Sequence, residues 1–264
     1  MTARPRPYRR FVTDWRIWSA VAFTALITGG ATTDLVFQAK MRAQLVRTDP
    51  DAIPKDAALT AFAVALARPA YRAHCAACHG ADLTGDPRQG APNLTDRDWL
   101  YGDGRVTDIE QTVLYGIRAG NGRTRDLADM PAFGRAVPYR RYEVASLEPD
   151  EIHDVVEFLL AATEKPADTA AAERGATIFA GKGQCFDCHE EDAQGNNAIG
   201  APNLTDGIWL RGNGSRSDIA DTVSRGLSDF CPAWFGQLNL VTIRALAVLV
   251  YTASHRQSPA AKDG

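Results

Sequence analysis

The chain has 264 residues, of which 45% are hydrophobic and 23% charged, and its formal net charge is −3. This length favours two domains, and the hydrophobic fraction is that of an ordinary globular protein. Residues 66–264 carry more acidic than basic side chains. The sequence therefore lacks the basic face that a nucleic-acid-binding protein needs, and nucleic acid is excluded as a partner.

An arginine-rich start followed by an uncharged stretch predicts a cytoplasmic tail and membrane anchor in residues 1–40. Arg9 and Arg10 precede residues 17–33, which carry no charge and reach the lower length limit of a membrane-spanning helix. The arginines favour the cytoplasmic side, so the rest of the chain is expected outside the cytoplasm. A cleaved signal peptide is the alternative, because residues 29–31 resemble a cleavage site. Both alternatives export the remainder of the chain.

The rest of the sequence predicts an all-α fold, because no alternating strand pattern is present. Apolar residues at i, i+3, i+4, i+7 and i+8 predict two similar amphipathic helices, at 152–160 and 243–251. The predicted boundaries are 41–65 for a helical connector, 66–163 for a first domain, 164–173 for a linker and 174–264 for a second domain.

A repeated motif is the most informative feature of the sequence. CAACH at 75–79 recurs as CFDCH at 185–189, and GAPNLTDRDWL at 90–100 recurs as GAPNLTDGIWL at 200–210. Both pairs are separated by 110 residues. The chain therefore contains one unit twice, and each copy carries Cys-x-x-Cys-His.

Cys-x-x-Cys-His is the attachment motif of covalent haem c. Two thiols one helical turn apart reach the vinyl groups of one haem, and the adjacent histidine supplies the proximal nitrogen to the iron. A zinc site would not require a histidine after each cysteine pair, and a thioredoxin-like site would need a βαβ pattern that is absent. We therefore expect two covalently bound haems c. The predicted attachment residues are Cys75, Cys78, Cys185 and Cys188, and the predicted iron ligands are His79 and His189.

The second axial ligand is expected downstream of each motif. Met130, in the sequence MPAFG, is the expected distal ligand of the first haem, and thioether ligation raises a haem potential. The corresponding position of the second repeat is Cys231, in CPAWFG. Cys231 is the only cysteine outside the two motifs. It is expected either to ligate the second iron or to be an inert thiol beside an open or differently ligated iron.

These motifs and their order resemble one known family. The similarity includes the amino-terminal anchor, FQAKMRAQL, HCAACHG, both GAPNLTD segments, MPAFG and the final ALAVLVY helix. This combination is similar to subunit III of the cbb3-type cytochrome c oxidases, the CcoP/FixP family. The resemblance implies an amino-terminal transmembrane helix followed by two tandem cytochrome c domains. The departure is Cys231, where the family has methionine.

The resemblance also implies a role and its partners. The chain would be a non-catalytic electron-transfer subunit, with no catalytic residue, anchored once in the bacterial inner membrane with its haem domains in the periplasm. Its partners would be the haem–copper catalytic subunit, a monohaem cytochrome subunit, and a donor cytochrome c or quinol-oxidising complex. An acidic surface suits a basic redox partner. The alternatives are a dihaem cytochrome serving another periplasmic oxidoreductase and a haem-based sensor using the second haem.

Overall fold

A computed structural model describes residues 33–134 and 145–256. The chain divides into two compact units, Met1–Gln44 and Leu45–Gly264, and the second contains both sequence repeats. Most of the predicted anchor, residues 1–32, lies outside the described residues. Across the ranges that are described, no helix combines the length and the apolar character needed to cross a membrane.

The described residues are mostly helical, as the sequence predicts, and their β-structure is confined to isolated bridges. The α-helices are α1 (33–47), α2 (Ala57–His74), α3 (Ala76–His79), α4 (Val106–Tyr115), α5 (Pro149–Ala162), α6 (Thr169–Ala180), α7 (Phe186–His189), α8 (Arg216–Arg225) and α9 (Leu240–His255). A 3₁₀ helix, Pro50–Lys55, follows α1.

Helix α2 begins at Ala57, within the predicted connector. The Asp56 carboxylate accepts the Leu59 N–H at 3.0 Å and caps the amino terminus of the helix. From there the helix continues to His74 without interruption, through the predicted boundary between residues 65 and 66. It does so because Leu59, Ala63 and Tyr71 share one buried face. The predicted connector and the segment that leads to the first Cys-x-x-Cys-His motif are therefore one helix.

The two predicted amphipathic helices exist, and their apolar residues are buried. Ile152, Val155 and Leu159 of α5 are at most 7% exposed, and Ile243 and Leu246 of α9 are about 1% exposed. However, α5 packs against α6 and α8 of the second repeat, whereas α9 packs against α2 and α4 of the first repeat. We call α5 and α9 the closing helices. Each of them follows one repeat in the sequence but packs against the other repeat.

The packing defines two lobes within the second compact unit. The first lobe contains residues 45–117 and 231–256, and the second lobe contains the described part of residues 130–227. Residues 118–129 lead the chain from the first lobe into the second, and residues 228–230 return it. The second lobe is therefore inserted into the first. In the second lobe, the loop that contains Met130 and the helix α5 come before the second Cys-x-x-Cys-His motif in the chain, whereas in the first lobe the equivalent loop and α9 come last.

Backbone hydrogen bonds hold the chain at both places where it passes between the lobes. Ile117 and Cys231 exchange N–H···O bonds of 2.9 and 3.1 Å, and Met130 and Leu227 exchange bonds of 2.9 and 3.0 Å. Ile117 and Leu227 are equivalent residues of the two repeats. The two pairings are therefore related by the repeat symmetry. Each joins one repeat to the loop of the other repeat that contains Met130 or Cys231, and we call this loop the distal loop.

A buried ion pair secures the carboxyl-terminal helix in the first lobe. Arg244 of α9 donates to the Glu110 carboxylate of α4 at 2.7 and 3.0 Å. The same guanidinium donates to the carbonyl oxygens of Val46 and Thr48 at 2.9 and 3.0 Å. Arg244 thus joins three segments that are far apart in sequence.

Candidate haem sites

The first Cys-x-x-Cys-His segment lies at the end of α2. The helix changes direction at Cys75, whose N–H still donates to Tyr71 O at 2.8 Å, and a single turn, α3, continues to His79. Gly80 ends that turn with a φ of 75°, a conformation that glycine adopts without strain. Because Cys75 and Cys78 are three residues apart on a helical turn, they lie on the same face.

The His79 imidazole is oriented by the proline-containing loop that follows. Its Nδ1 lies 3.1 Å from the Pro92 carbonyl oxygen, which can only accept a hydrogen bond. The proton is therefore on Nδ1, and Nε2 keeps its lone pair. Burial lowers the pKa of His79, although the bond to Pro92 opposes this effect. A neutral, oriented imidazole with a free Nε2 is the form that binds iron.

The second motif has the same construction. Turn α7 ends at His189, whose N–H donates to Cys185 O at 2.9 Å, and His189 Nδ1 lies 3.0 Å from the Pro202 carbonyl oxygen. Burial also lowers the pKa of His189. The structure thus brings the predicted cysteines and proximal histidine together at each motif. We call the group of Cys75, Cys78 and His79 site 1, and the group of Cys185, Cys188 and His189 site 2.

Cys231 lies at site 1, in the first lobe. Burial raises the pKa of the Cys231 thiol to about 11, and the next cause is the neighbouring Cys78. The pKa of Cys75 is likewise raised to about 11, by burial first and then by Cys231. Three residues further along, the Trp234 ring lies 4.7 Å from the His74 ring, between centroids. Two independent contacts therefore place the Cys231 loop beside the first motif.

Met130 lies at site 2, in the second lobe. It packs against the buried cluster formed around α5 and α8, which also contacts Cys185, Phe186, Leu204 and Trp209. The sequence-based pairing of Met130 with His79, and of Cys231 with His189, is therefore not the one the structure makes. The reason is that Met130 is paired with Leu227, and that the apolar face of α5 packs against α6 and α8. The loop that contains Met130 therefore lies in the second lobe, together with α5.

The walls of the two sites suit a haem. One cavity reaches both motifs, and apolar side chains from several helices line it. In the first lobe these are Ile109, Val113, Leu246 and Val250, and in the second lobe they are Val155, Leu159, Ile219 and Val223. An apolar wall opposite two thiols and an oriented imidazole matches the chemistry of an attached haem c. These residues therefore fit the expected cofactor at both sites.

Sequence reasoning did not find the polar residues between the sites. Tyr101 and Arg211 occupy equivalent positions directly after the repeated Trp-Leu pair, and both line the cavity together with Asp229. Their importance depends on the contact between the lobes, which the sequence does not reveal. The only signal available was a difference between the repeats: Tyr101 is uncharged, whereas Arg211 at the equivalent position is charged.

Comparisons with known proteins identify the family to which the chain belongs. Residues 64–163 match the family model described as cytochrome c. The chain is 40% identical over 204 residues to the cbb3-type cytochrome c oxidase subunit FixP of Bradyrhizobium sp. (strain ORS 278), covering 76% of this chain and 64% of that protein. It is 38% identical over 213 residues to the subunit CcoP of Cereibacter sphaeroides, covering 81% and 69%.

A further relative extends the agreement. The chain is 38% identical over 220 residues to the cbb3-type cytochrome c oxidase subunit CcoP of Azospirillum brasilense, covering 81% of this chain and 70% of that protein. Both the repeated motifs and the identity over most of the chain thus lead to one conclusion. The chain belongs to the CcoP/FixP family of cbb3-type cytochrome c oxidase subunits.

Proposed function

We propose that the chain carries two covalently attached haems c. Cys75 and Cys78 would form the thioethers at site 1, and Cys185 and Cys188 would form those at site 2. His79 and His189 would be the proximal iron ligands. The observation that carries the proposal is the matched orientation of the two imidazoles, at 3.1 and 3.0 Å from a proline carbonyl oxygen. A carbonyl acceptor at Nδ1 of each imidazole fixes both the tautomer and the direction of the free Nε2.

We further propose that the distal ligands are exchanged relative to the sequence order. Cys231 would cap the iron at site 1, and Met130 would cap the iron at site 2. The backbone pairing at Ile117 and Leu227 and the burial of each loop in its lobe support this assignment. An anionic thiolate stabilises ferric iron more than a neutral thioether does, so site 1 would have the lower potential of the two.

The proposed role is electron transfer within a cbb3-type oxidase. A bound haem c supplies one-electron chemistry, while oxygen reduction would belong to a haem–copper subunit. A monohaem cytochrome subunit and a donor cytochrome c or quinol-oxidising complex would be further partners. Anchoring in the inner membrane with both lobes in the periplasm is supported by the arginine-rich segment before residue 17 and by the uncharged stretch that follows it.

Haem content is the direct test of this proposal. A pyridine haemochrome assay after acid–acetone extraction should find about two c-type haems per polypeptide. Replacing Cys75 and Cys78 with alanine should leave one, and replacing Cys185 and Cys188 should also leave one. The native complex should then copurify with subunits that contain haem b and copper. A single haem in the unaltered chain, or purification without such subunits, would contradict the proposal.

Cys231 favours one second function, which is ligand sensing at site 1. A thiol in the distal position can leave the iron on reduction, whereas Met130 gives site 2 an ordinary electron-transfer ligand. Exchange of the site 1 ligand on reduction, followed by binding of a diatomic gas, would favour the sensor. An unchanged six-coordinate iron in both oxidation states would favour electron transfer alone.

A further inference from the structure

Tyr71 and Phe179 occupy the same place in the two lobes, although the 110-residue offset of the repeats does not align them. The Tyr71 carbonyl oxygen accepts the Cys75 N–H at 2.8 Å, and the Phe179 carbonyl oxygen accepts the Cys185 N–H at 3.0 Å. Both aromatic residues are buried, at 3% and 2% exposed, and both line the cavity that reaches the two sites. The chemical difference between them is therefore the phenol hydroxyl of Tyr71.

The Tyr71 hydroxyl reaches the far end of the first Cys-x-x-Cys-His motif. It donates to the Gly80 carbonyl oxygen at 2.7 Å and lies 3.3 Å from the His79 carbonyl oxygen. Burial raises the pKa of Tyr71 above its ordinary value, and the nearby Cys75 and Asp82 act in the same direction. The hydroxyl therefore keeps its proton at neutral pH and remains a hydrogen-bond donor.

Tyr71 thus holds both ends of the motif. Its carbonyl oxygen binds the amide of the first cysteine, where α2 gives way to α3, and its hydroxyl binds the backbone directly after the proximal histidine. Within the described residues, the Gly80 carbonyl oxygen also accepts the Leu83 N–H at 3.4 Å, which is long for such a bond. The bond from Tyr71 is the shorter of the two, so it determines the position of the Gly80 peptide.

The motif at site 2 ends differently. Glu190 stands at the position equivalent to Gly80, and its carbonyl oxygen accepts the Ala193 N–H at 3.2 Å but no side-chain donor of the described residues. The Glu190 carboxylate instead accepts a solvent-exposed hydrogen bond from the Asn196 side chain at 2.7 Å. The backbone after the proximal histidine is therefore held from the buried side at site 1 and from the exposed side at site 2.

We propose that the Tyr71 hydroxyl is a positioning group for the proximal ligand at site 1. The inference rests on the proposed attachment of haem at this site, with His79 as the iron ligand. Two constraints determine where the His79 imidazole points: its Nδ1 bonds to the Pro92 carbonyl oxygen, and its backbone is fixed by the Tyr71 hydroxyl through Gly80. Groups that hold a metal-binding histidine in place tune its bond to the metal.

The additional constraint lies at the site whose proposed distal ligand is unusual. Cys231 would cap the iron at site 1, and a distal thiol can leave the iron on reduction. His79 is then the one remaining axial ligand, so the position of its backbone determines how the imidazole meets the iron. At site 2, where Met130 is the proposed distal ligand, Phe179 has no hydroxyl to supply such a constraint.

The second lobe supplies the test variant. Tyr71→Phe removes the hydroxyl and introduces the residue that site 2 already has. Tyr251→Phe is the matched control, because Tyr251 belongs to α9 in the same lobe but does not line the cavity. Both variants are prepared as the full chain with both haems attached.

Two measurements report different consequences of the change. The ferric EPR spectrum has line widths that reflect the spread of imidazole orientations at each iron. Hydrogen exchange of the backbone amides reports the hydrogen bonds around each motif without reference to the iron.

We expect the EPR lines of the site 1 haem to broaden in Tyr71→Phe, whereas those of the site 2 haem should not change. The amides of residues 78–85 should exchange on the order of fivefold faster, the factor that corresponds to the loss of one ordinary hydrogen bond. The amides of residues 188–195 should exchange as they do in the unaltered chain.

Unchanged EPR lines at site 1 would overturn the inference even if exchange becomes faster, because the hydroxyl would then hold the backbone without positioning the ligand. Equal broadening in Tyr251→Phe, or at both haems, would also overturn it. Haem content distinguishes this failure from that of the proposed function. Two haems with a silent Tyr71→Phe overturn only this inference, whereas an unaltered chain without a haem at site 1 overturns the proposed function.

Discussion

Cys231 and Ile117 exchange both backbone hydrogen bonds, at 2.9 and 3.1 Å, although they belong to different repeats. This pairing places the distal cysteine above the first haem motif rather than the second. The equivalent pairing of Met130 with Leu227 places the methionine above the second motif. The spectroscopic and redox properties of the two haems should follow the spatial arrangement and not the order of the sequence.

Replacing the distal cysteine should alter only the haem at site 1. Cys231→Met provides a neutral thioether in place of a thiol, which favours ferrous iron. We expect the potential of the site 1 haem to rise by an amount on the order of 0.1 V, within the ~0.8 V range that axial ligands cover. Redox titration of the full chain measures both potentials. A shift confined to the other haem would show that Cys231 caps site 2.

Replacing the distal methionine should alter only the haem at site 2. Met130→His keeps the iron low-spin but lowers its potential, because imidazole is a stronger donor than thioether. The weak methionine–iron absorption band should disappear at the same time. Met41→Leu is the control, because Met41 lies outside both sequence repeats and does not line the cavity that reaches the two sites. Retention of the methionine–iron band in Met130→His would exclude Met130 as a ligand of the iron.

The sequence predicts the components of the sites better than their assembly. The helical turn at each Cys-x-x-Cys-His motif and the two amphipathic helices follow from local spacing, and the structure contains all four. The partner of Met130 could not be predicted in this way, because it depends on which hydrophobic surface α5 covers. Repeats of similar sequence offer similar surfaces, so periodicity alone does not distinguish one from the other. The ion pair between Arg211 and Asp229 was missed for the same reason, since it forms only through contact between the lobes.

The Arg244–Glu110 pair should contribute strongly to stability. Arg244→Leu leaves the Glu110 carboxylate buried without a counter-charge and leaves the carbonyl oxygens of Val46 and Thr48 without this donor. Breaking a buried pair in this manner costs about 3–5 kcal/mol. Chemical unfolding monitored by circular dichroism gives the free energy of unfolding. Arg225→Ala, which breaks an exposed pair with Asp221, should cost at most about 1 kcal/mol. Equal losses in the two variants would show that burial of the Arg244 pair is unimportant.

Glu157 should make the stability of the second lobe depend on pH. Hydrogen bonds from Arg216, at 2.6 and 3.1 Å, lower the pKa of Glu157 from 4.5 to about 2, although burial opposes them. Because the folded-state pKa is depressed, the stabilisation is present above pH 4.5 and is lost as the pH falls towards 2. As the pH falls from 4.5 towards 2, the free energy of unfolding of the unaltered chain should therefore approach that of Glu157→Gln. A difference that stays constant with pH would exclude the ionised carboxylate as its cause.

The exchange of distal ligands is tested most directly in chains that retain a single haem. Replacing Cys185 and Cys188 with alanine leaves only site 1, and replacing Cys75 and Cys78 leaves only site 2. Near-infrared absorption and EPR spectra of the ferric proteins then report each iron separately. We predict that the site 1 protein lacks the methionine–iron band and shows a low-spin thiolate signal that Cys231→Ser abolishes, whereas the site 2 protein retains the methionine–iron band. A methionine–iron band in the protein that keeps only site 1 would contradict the account.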